Sequence, residues 1–247
     1  MYKNKYVSVL IAAAGVGSRM GGNLSKQFIN LGNKPVLAHT IEKFEANDYI
    51  DEIIIIMKED DIEYCKNQIV RKYKFRKVSK VIRGGRERQD SVYNGILALN
   101  SKTDIVLSHD GARPFVSHRM IEEAVEKTYD QGAAVVGMPV TDTVKIISES
   151  GEIETTPKRS LLWAAQTPQA FRKDILVRAY NRAIEDYFLG TDDSSLVERI
   201  GIAVSMVEGS YSNIKLTTPE EIKIAESIIE RENIRDAYGN RIIVQSR

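Results

Sequence analysis

Residues 7–26 read VSVLIAAAGVGSRMGGNLSK, and the parsing of this stretch decides the fold. An apolar run, Val7 to Ile11, stops at Ala12-Ala13-Ala14-Gly15-Val16-Gly17. Small residues and glycines let backbone N–H groups come close to an anion, as phosphate-cradling loops do. Arg19 and Lys26 follow at once and add two cations. Two familiar phosphate loops do not fit. The dinucleotide fingerprint needs a third glycine where Met20 stands, and the Walker loop needs a lysine where Asn23 follows Gly22. An ordinary strand-to-helix turn with solvated charges is the bland alternative. The combination favours a nucleotide loop of another kind.

Lys3 and Lys5 before the apolar run, and Ala12-Ala13-Ala14 after it, imitate a secretory signal. The run is short for such a signal, and cleavage would destroy the glycine loop, so it reads as a buried first strand. No other stretch approaches the ~18 apolar residues of a membrane span, so no membrane partner is expected. The 247 residues suffice for one large α/β domain. With 35 Lys+Arg against 34 Asp+Glu, no global field invites nucleic acid. The single cysteine, Cys65, excludes an internal disulfide framework and suits a reducing, cytoplasmic setting. Its spacing from Ile62 and Ile69 makes it a buried structural thiol rather than a nucleophile.

Working outward, Pro35 sits at the first turn of a helix carrying Val36, Leu37, Ile41 and Phe44. Ile53 to Ile56 reads as a strand buried on both faces. An amphipathic helix is expected from about Glu59 to Tyr73, then a strand from Val78 to Ile82. Asp90-Ser91 opens a helix with Val92, Ile96 and Leu99. Asp104 to Ser108 is a strand leading into His109-Asp110-Gly111-Ala112-Arg113. Ala133 to Pro139 continues the sheet. Ile175 to Tyr187 is helical, Thr191-Asp192-Asp193 caps another helix, Ile202 to Val207 is a strand, and Pro219 starts the last helix. Alternation of this kind predicts a mostly parallel twisted sheet with helices on both faces, an α/β fold whose ligands sit at the carboxyl ends of strands. Three glycine-rich or polar clusters fall there: 15–26, 84–91 and 109–113.

One segment breaks the rhythm. Thr143 to Ile147 and Ile153 to Thr156 flank a glycine turn at Gly151 and read as a β-hairpin. Two polar-faced strands that the parent sheet cannot bury predict a projecting arm, about 141–159, covered by a partner chain.

The chemistry left open is cationic. His39, His109 and His118 are far apart in sequence, with His39 expected on a helix surface, and no serine occupies a nucleophile elbow. His109 reads as a hydrogen-bonded structural residue, with a general-base role as the alternative. Arg19, Lys26, Arg113, Arg159 and Lys215 suit a reaction dominated by phosphate charge, and Asp110 or Asp142 suits a ligand or a Mg²⁺ ion. Phosphoryl and nucleotidyl transfer need mainly positioning and charge neutralisation.

The set AAAGVGSRMG with SKQF, GGRERQDSV, HDGARPF, Asp142-Thr143, LWAAQTPQAF, TDDSSLVE and NIKLTTPEE resembles the 2-C-methyl-D-erythritol 4-phosphate cytidylyltransferase family. The likeness runs in register from about Val7 to Ile229. HDGARPF together with LWAAQTPQAF is its most specific part. The resemblance implies a Rossmann-like single domain over residues 1–235, with a tail of unread order at 236–247. It implies a homodimer joined through the arm, and transfer of CMP from CTP to a small polyol phosphate with pyrophosphate leaving. The implied cofactor is Mg²⁺, held mainly by the nucleotide phosphates and by no protein ligand. By motif, Arg19, Lys26 and Lys215 are the implied catalytic residues. Ala13, Ala14, Gly15, Gly17, Gly85, Arg86, Ser91, Asp110 and Gly111 fall where the family meets the nucleotide. Asp110, Arg113, Thr143, Arg159 and Thr167 fall where it meets the acceptor. Arg86 departs from the pattern, since some members carry an acidic residue near the base. The nearest rival is a ribitol 5-phosphate cytidylyltransferase, against which Ala112 and Leu162-Trp163 argue. A non-catalytic nucleotide sensor is the more distant one, against which Arg19 and Lys26 argue.

Overall fold

The computed structural model describes residues 1–15 and 26–238, without the side chains of Lys26 and of residues 232–238. Gly17, Arg19 and the tail from 239 onward therefore lie outside the described residues, as does the Lys26 side chain. In chain order the elements are β1 (Tyr6–Ala12), β2 (Asn30–Leu31), β3 (Lys34–Pro35), α1 (Val36–Glu45), β4 (Glu52–Met57), α2 (Ile62–Tyr64), β5 (Val78–Arg83), α3 (Arg88–Ala98) and β6 (Thr103–Asp110). Then come α4 (His118–Gln131), β7 (Ala133–Pro139), β8 (Ile146–Ile147), β9 (Ile153–Thr155), β10 (Trp163–Arg172), α5 (Lys173–Glu185), α6 (Asp193–Arg199), β11 (Ser205–Glu208) and α7 (Pro219–Tyr238).

Among the described residues, seven strands form one sheet in the order β11-β7-β10-β6-β1-β4-β5. All neighbours pair in parallel except β10, which runs antiparallel to both β6 and β7. Alternation along the central strands sorts the core into two layers. Val7, Val9, Ile11, Ile53 and Ile55 pack with Leu37 and Ile41 of α1 and Ile121 and Val125 of α4. Leu10, Ile54 and Ile56 point the other way, against Val92 and Ile96 of α3 and Leu176 and Tyr180 of α5. Each fully buried aliphatic side chain contributes roughly 1.5–3 kcal/mol, so a continuous apolar run such as Ile53–Ile56 fits only a strand covered on both faces. A third, smaller cluster seats Ala225 of α7 against Leu31 and Val36.

Several boundaries differ from the sequence expectation for local reasons. Pro35 is the residue before α1 rather than in its first turn, and it pairs with Asn30. The helix expected from Glu59 to Tyr73 begins as a 3-10 turn, passes through α2 and continues as a π-helix over Cys65–Arg71. Cys65 and Ile69 are fully buried there, and burial pushes the Cys65 thiol up to about 12, as an inert structural cysteine requires. The third helix starts at Arg88, because Glu87 and Asp90 form a reciprocal capping box; Asp90 is its inner member, not its cap. Ile202 and Val204 pack on the second core layer before the chain reaches the sheet edge, so β11 begins only where Ser205 meets Ala134. The last helix runs from Pro219 to Tyr238. His39 is half-buried rather than fully on the surface, with Nε2 against the Leu31 carbonyl at 2.9 Å.

The arm is a separate two-stranded sheet of β8 and β9, shorter than expected, with Gly151 at φ +85° in its turn. Its faces are not purely polar: Ile146, Ile147 and Ile153 are exposed, and Leu161 at its base is 76% exposed.

Candidate active site

The strand order reverses at β1, which has β4 on one side and β6 on the other. Loops diverge at such a point and leave a crevice at the strands' carboxyl ends. Ala12 ends β1 opposite Asp110, the last residue of β6. Gly111 N donates to Ala12 O at 2.9 Å, and a Cβ on Gly111 would meet the Ala13 Cβ at 3.1 Å and Ala12 O at 3.2 Å. Gly84, just past β5, approaches from the other side. A Cβ there would sit 2.7 Å from Ala14 Cβ and 2.8 Å from Ser91 Oγ. The loops after β5 and β6 therefore both close on Ala12 to Ala14, the residues that lead into the first cluster, and glycine is what lets them.

Asp110 is the centre of charge. Its Oδ1 accepts from Arg88 Nε at 3.4 Å; its Oδ2 accepts from Arg113 Nε at 3.4 Å and lies 2.9 Å from Lys215 Nζ. Burial alone would raise the pKa of this carboxyl, which is 7% exposed, but Arg88, Lys215 and Arg113 together hold it well below the usual carboxylate range. Lys215 is carried there by a stitched segment. Leu216 N donates to Ala112 O at 2.9 Å, Arg113 Nη1 donates to Asn213 O at 2.7 Å, and Asn213 Nδ2 donates to Thr167 O at 3.0 Å.

Two cavities meet at Asp110. One, of about 160 Å³, is lined by Ala12, Ala13, Gly15, Gln27, Ala112 and the shared residues Arg88, Asp110 and Lys215. The other, of about 310 Å³, adds Arg113, Gln166, Thr167, Gln169 and Asp192 to the same shared three. A larger hollow of about 700 Å³ lies beside α5 at the start of β6, lined by paired charges such as Asp104 and Asp174 and by none of the motif residues. Convergent cations at the switch point outweigh its size.

The structure separates the remaining candidates. His109 is fully buried, edge-on to Phe44 at 4.9 Å. Its Nε2 is 3.1 Å from Arg113 O, a pure acceptor, so Nε2 carries the proton and Nδ1 accepts from Thr167 Oγ1 at 3.0 Å. Thr167 Oγ1 also accepts from Asp110 N at 3.1 Å, so this hydroxyl is spent on placing Asp110. Ser91 is buried too, its hydroxyl accepting from Gly85 N and donating to Glu87 O, both at 3.0 Å. Ser91 thus shapes the loop on which Gly85 and Arg86 stand exposed. Thr143, Asp142 and Arg159 are not in this cluster. All three are exposed at the root of the arm, with Arg159 Nη1 on Thr141 O at 3.0 Å, and none lines either cavity.

Sequence reasoning missed Arg88, whose side chain bridges Asp110, Asp193 and Ser108. It also missed Gln27, which donates to Ala13 O at 2.7 Å and braces the first loop, and Gln169, which holds Asp192 at 2.7 Å.

The family model described as IspD, 2-C-methyl-D-erythritol 4-phosphate cytidylyltransferase, matches residues 7–231. The curated enzyme of that name from Clostridioides difficile is 49% identical over 237 residues, 96% of this chain and 99% of that one. Its counterpart from Alkaliphilus metalliredigens is 47% identical over 91% of this chain and 93% of that one. Among solved structures, the 4-diphosphocytidyl-2C-methyl-D-erythritol synthase of Anaerococcus prevotii superposes with a TM-score of 0.83 at 34% identity, covering 92% of this chain and 97% of that one. The Thermus thermophilus cytidylyltransferase gives 0.75 at 30% identity, covering 91% and 99%.

Proposed function

Because the chain belongs to the 2-C-methyl-D-erythritol 4-phosphate cytidylyltransferase family, we propose that it joins CTP to 2-C-methyl-D-erythritol 4-phosphate. The products are 4-diphosphocytidyl-2-C-methyl-D-erythritol and pyrophosphate. The observation that carries this reading is the pair of cavities meeting at Asp110, with Lys215 and Arg88 common to both. The smaller cavity, on the β1 loop, takes the nucleotide, with Ala13, Ala14, Gly15, Gly85 and Gly111 offering backbone. The larger takes the acceptor, with Arg113 at its wall. An acceptor phosphate oxygen attacks the α-phosphorus of CTP, and the bond from that phosphorus to the bridging oxygen of the β-phosphate breaks. The acceptor phosphate, with a second pKa near ~6, is largely dianionic at pH 7. It needs no general base, which agrees with a buried, neutral His109. Catalysis then rests on cations that meet the charge developing on the phosphates: Lys215 from within the described site, and Arg19 and Lys26 from the first loop.

Mg²⁺ is the proposed cofactor, brought in on the triphosphate. Among the described residues no three of His, Cys, Asp or Glu converge on a metal nest. Of the carboxylates lining the cavities, Asp110 is claimed by three cations and Asp192 caps α6 while accepting from Gln169 and Ser194. Such a donor set would leave the ion to the phosphates, where it would neutralise charge on the leaving group. A second copy of the chain is the proposed partner, covering the exposed isoleucines of the arm and bringing Thr143 and Arg159 to the neighbour's acceptor cavity. No helix among the described residues is long and apolar enough to cross a membrane, and the single buried thiol suits the proposed cytoplasmic setting.

Pyrophosphate release with CTP and Mg²⁺ tests the reaction, with 2-C-methyl-D-erythritol 4-phosphate and ribitol 5-phosphate as competing acceptors. Release with the first alone is expected; release only with ribitol 5-phosphate overturns the acceptor assignment. CTP should also raise the melting temperature well above the effect of ATP, since binding to the folded state adds RT ln(1+[L]/Kd). Equal stabilisation by all four triphosphates overturns the base assignment.

A further inference from the structure

Arg88 opens α3, and its side chain ties that helix to β6 and α6. Nε donates to Asp110 Oδ1 at 3.4 Å on β6, Nη2 to Ser108 Oγ at 3.2 Å on the same strand, and Nη1 to Asp193 Oδ1 at 3.0 Å on α6. Asp193 is 1% exposed; its other anchor is the Tyr180 hydroxyl, which donates to Oδ1 at 2.5 Å. The second oxygen, Oδ2, lies 3.0 Å from Arg88 Nη1 as an ion pair but has no hydrogen-bond partner. A carboxylate buried so fully is costly unless paired, and a buried pair adds little net stability over an apolar one. Stability alone therefore does not explain why the chain keeps this pair here. Its place does: with Asp110 and Lys215, Arg88 lines both cavities.

We propose that Arg88 is a positioning residue for the transfer: with its fork anchored on Asp193 and Ser108, its Nε holds the Asp110 carboxylate at the wall between the two cavities, and so sets where Lys215 and Arg113 present their charges. The inference rests on the cytidylyl-transfer reading. An arginine suits this task because three nitrogens act from one rigid plane, whereas a lysine ammonium supplies the charge without the orientation. The charged and titratable groups around Asp110 are Arg88, Arg113 and Lys215, with His109 preceding it and Asp193 beyond the guanidinium.

Three variants separate positioning from a merely structural counter-charge. Arg88→Gln leaves Asp193 buried and unpaired, and loses stability under either view. Arg88→Lys keeps the charge, and Arg88→Gln with Asp193→Asn removes both charges together, so each should melt near the wild type. The measurements are melting temperature, kcat and KM for both substrates, and the titration of the Asp110 carboxyl by carbon NMR. Under the proposal, Arg88→Lys and the double variant keep kcat at least tenfold below wild type. The Asp110 titration in the double variant then moves up toward an ordinary aspartate, because the strongest attraction holding it down is gone. Wild-type kcat and KM in the stable variants, or an unmoved titration, overturn it. Wild-type turnover is read in parallel; its absence counts against the transfer reading, while the carboxyl titration judges Arg88 without any turnover.

Discussion

The imidazole of His109 has room for one proton, because its two nitrogens face a carbonyl and a hydroxyl that already bonds Asp110 N. Burial is the main reason its pKa falls from 6.5 to about 4. The sign follows. Between those values the unfolded chain binds a proton that the folded chain refuses. The stabilisation is complete above pH 6.5 and is lost as pH falls toward 4, by an amount of ~3 kcal/mol. Urea denaturation across pH 7 to 4.5 should show this slope in the wild type and lose it in His109→Gln. Asp110, held low instead, contributes its own loss as pH falls through and below the ordinary aspartate range, mostly beneath the His109 window. A second prediction at this scale concerns Arg19→Ala and Lys26→Ala. Removing one preorganised cation costs ~10²–10³ in rate, so kcat should fall by that much at unchanged melting temperature. A variant that instead unfolds marks the residue as structural. Residue-level reading found Lys215, Arg113 and Asp110 because their motifs carry them. It missed Arg88 because Arg83, Arg86 and Arg88 stand alike in the sequence. Only the capping box at Glu87 decides which of them begins a helix and turns inward.

At the level of elements, the strand most easily overlooked is β10. Its sequence, WAAQTPQAFR, has no clean alternation and contains Pro168, which argues against a central strand. The sheet accommodates it through a break in register between Ala165 and Gln169, where the pairing with β7 lapses and the proline needs no ladder bond. By contrast β4 was legible at once, since four successive isoleucines admit few other readings. Loop packing gives the prediction at this scale. Gly84→Ala forces a methyl against Ala14 Cβ and Ser91 Oγ, both inside 3.0 Å, in a place closed on two sides. Overpacking of this kind costs typically ~1–3 kcal/mol. A lowered melting temperature together with a weaker CTP shift is expected; an unchanged CTP shift would show that the first and second loops do not jointly form the nucleotide cavity.

For the molecule as a whole, the alternation of strands and helices made the α/β layering readable, and the resemblance supplied the placement of ligands. What could not be read was which acceptor-side residues share a cavity. Thr143 and Arg159 belong to the same motif set as Thr167 and Arg113, yet the structure leaves them on the arm, outside the site of their own chain. Where the arm lies decides their role, and the sequence does not encode that directly. Mixed dimers test it. Lys26→Ala and Arg159→Ala homodimers should each lose most activity. If Arg159 acts across the interface, the mixed dimer has one site with both native residues and regains up to half the wild-type rate. If Arg159 acts within its own chain, every site lacks one residue and no activity returns.

Strand β10 leaves the root of the arm at Trp163 and arrives between β6 and β7 with Thr167 and Gln169 at the cavity wall. Only a few residues separate the exposed apolar surface of the arm from the groups that brace Asp110. A small molecule wedged beneath the arm would tug on this short tether and spoil turnover while leaving CTP free to bind. Inhibition of that kind would be non-competitive toward both substrates, and raising the nucleotide concentration would not relieve it.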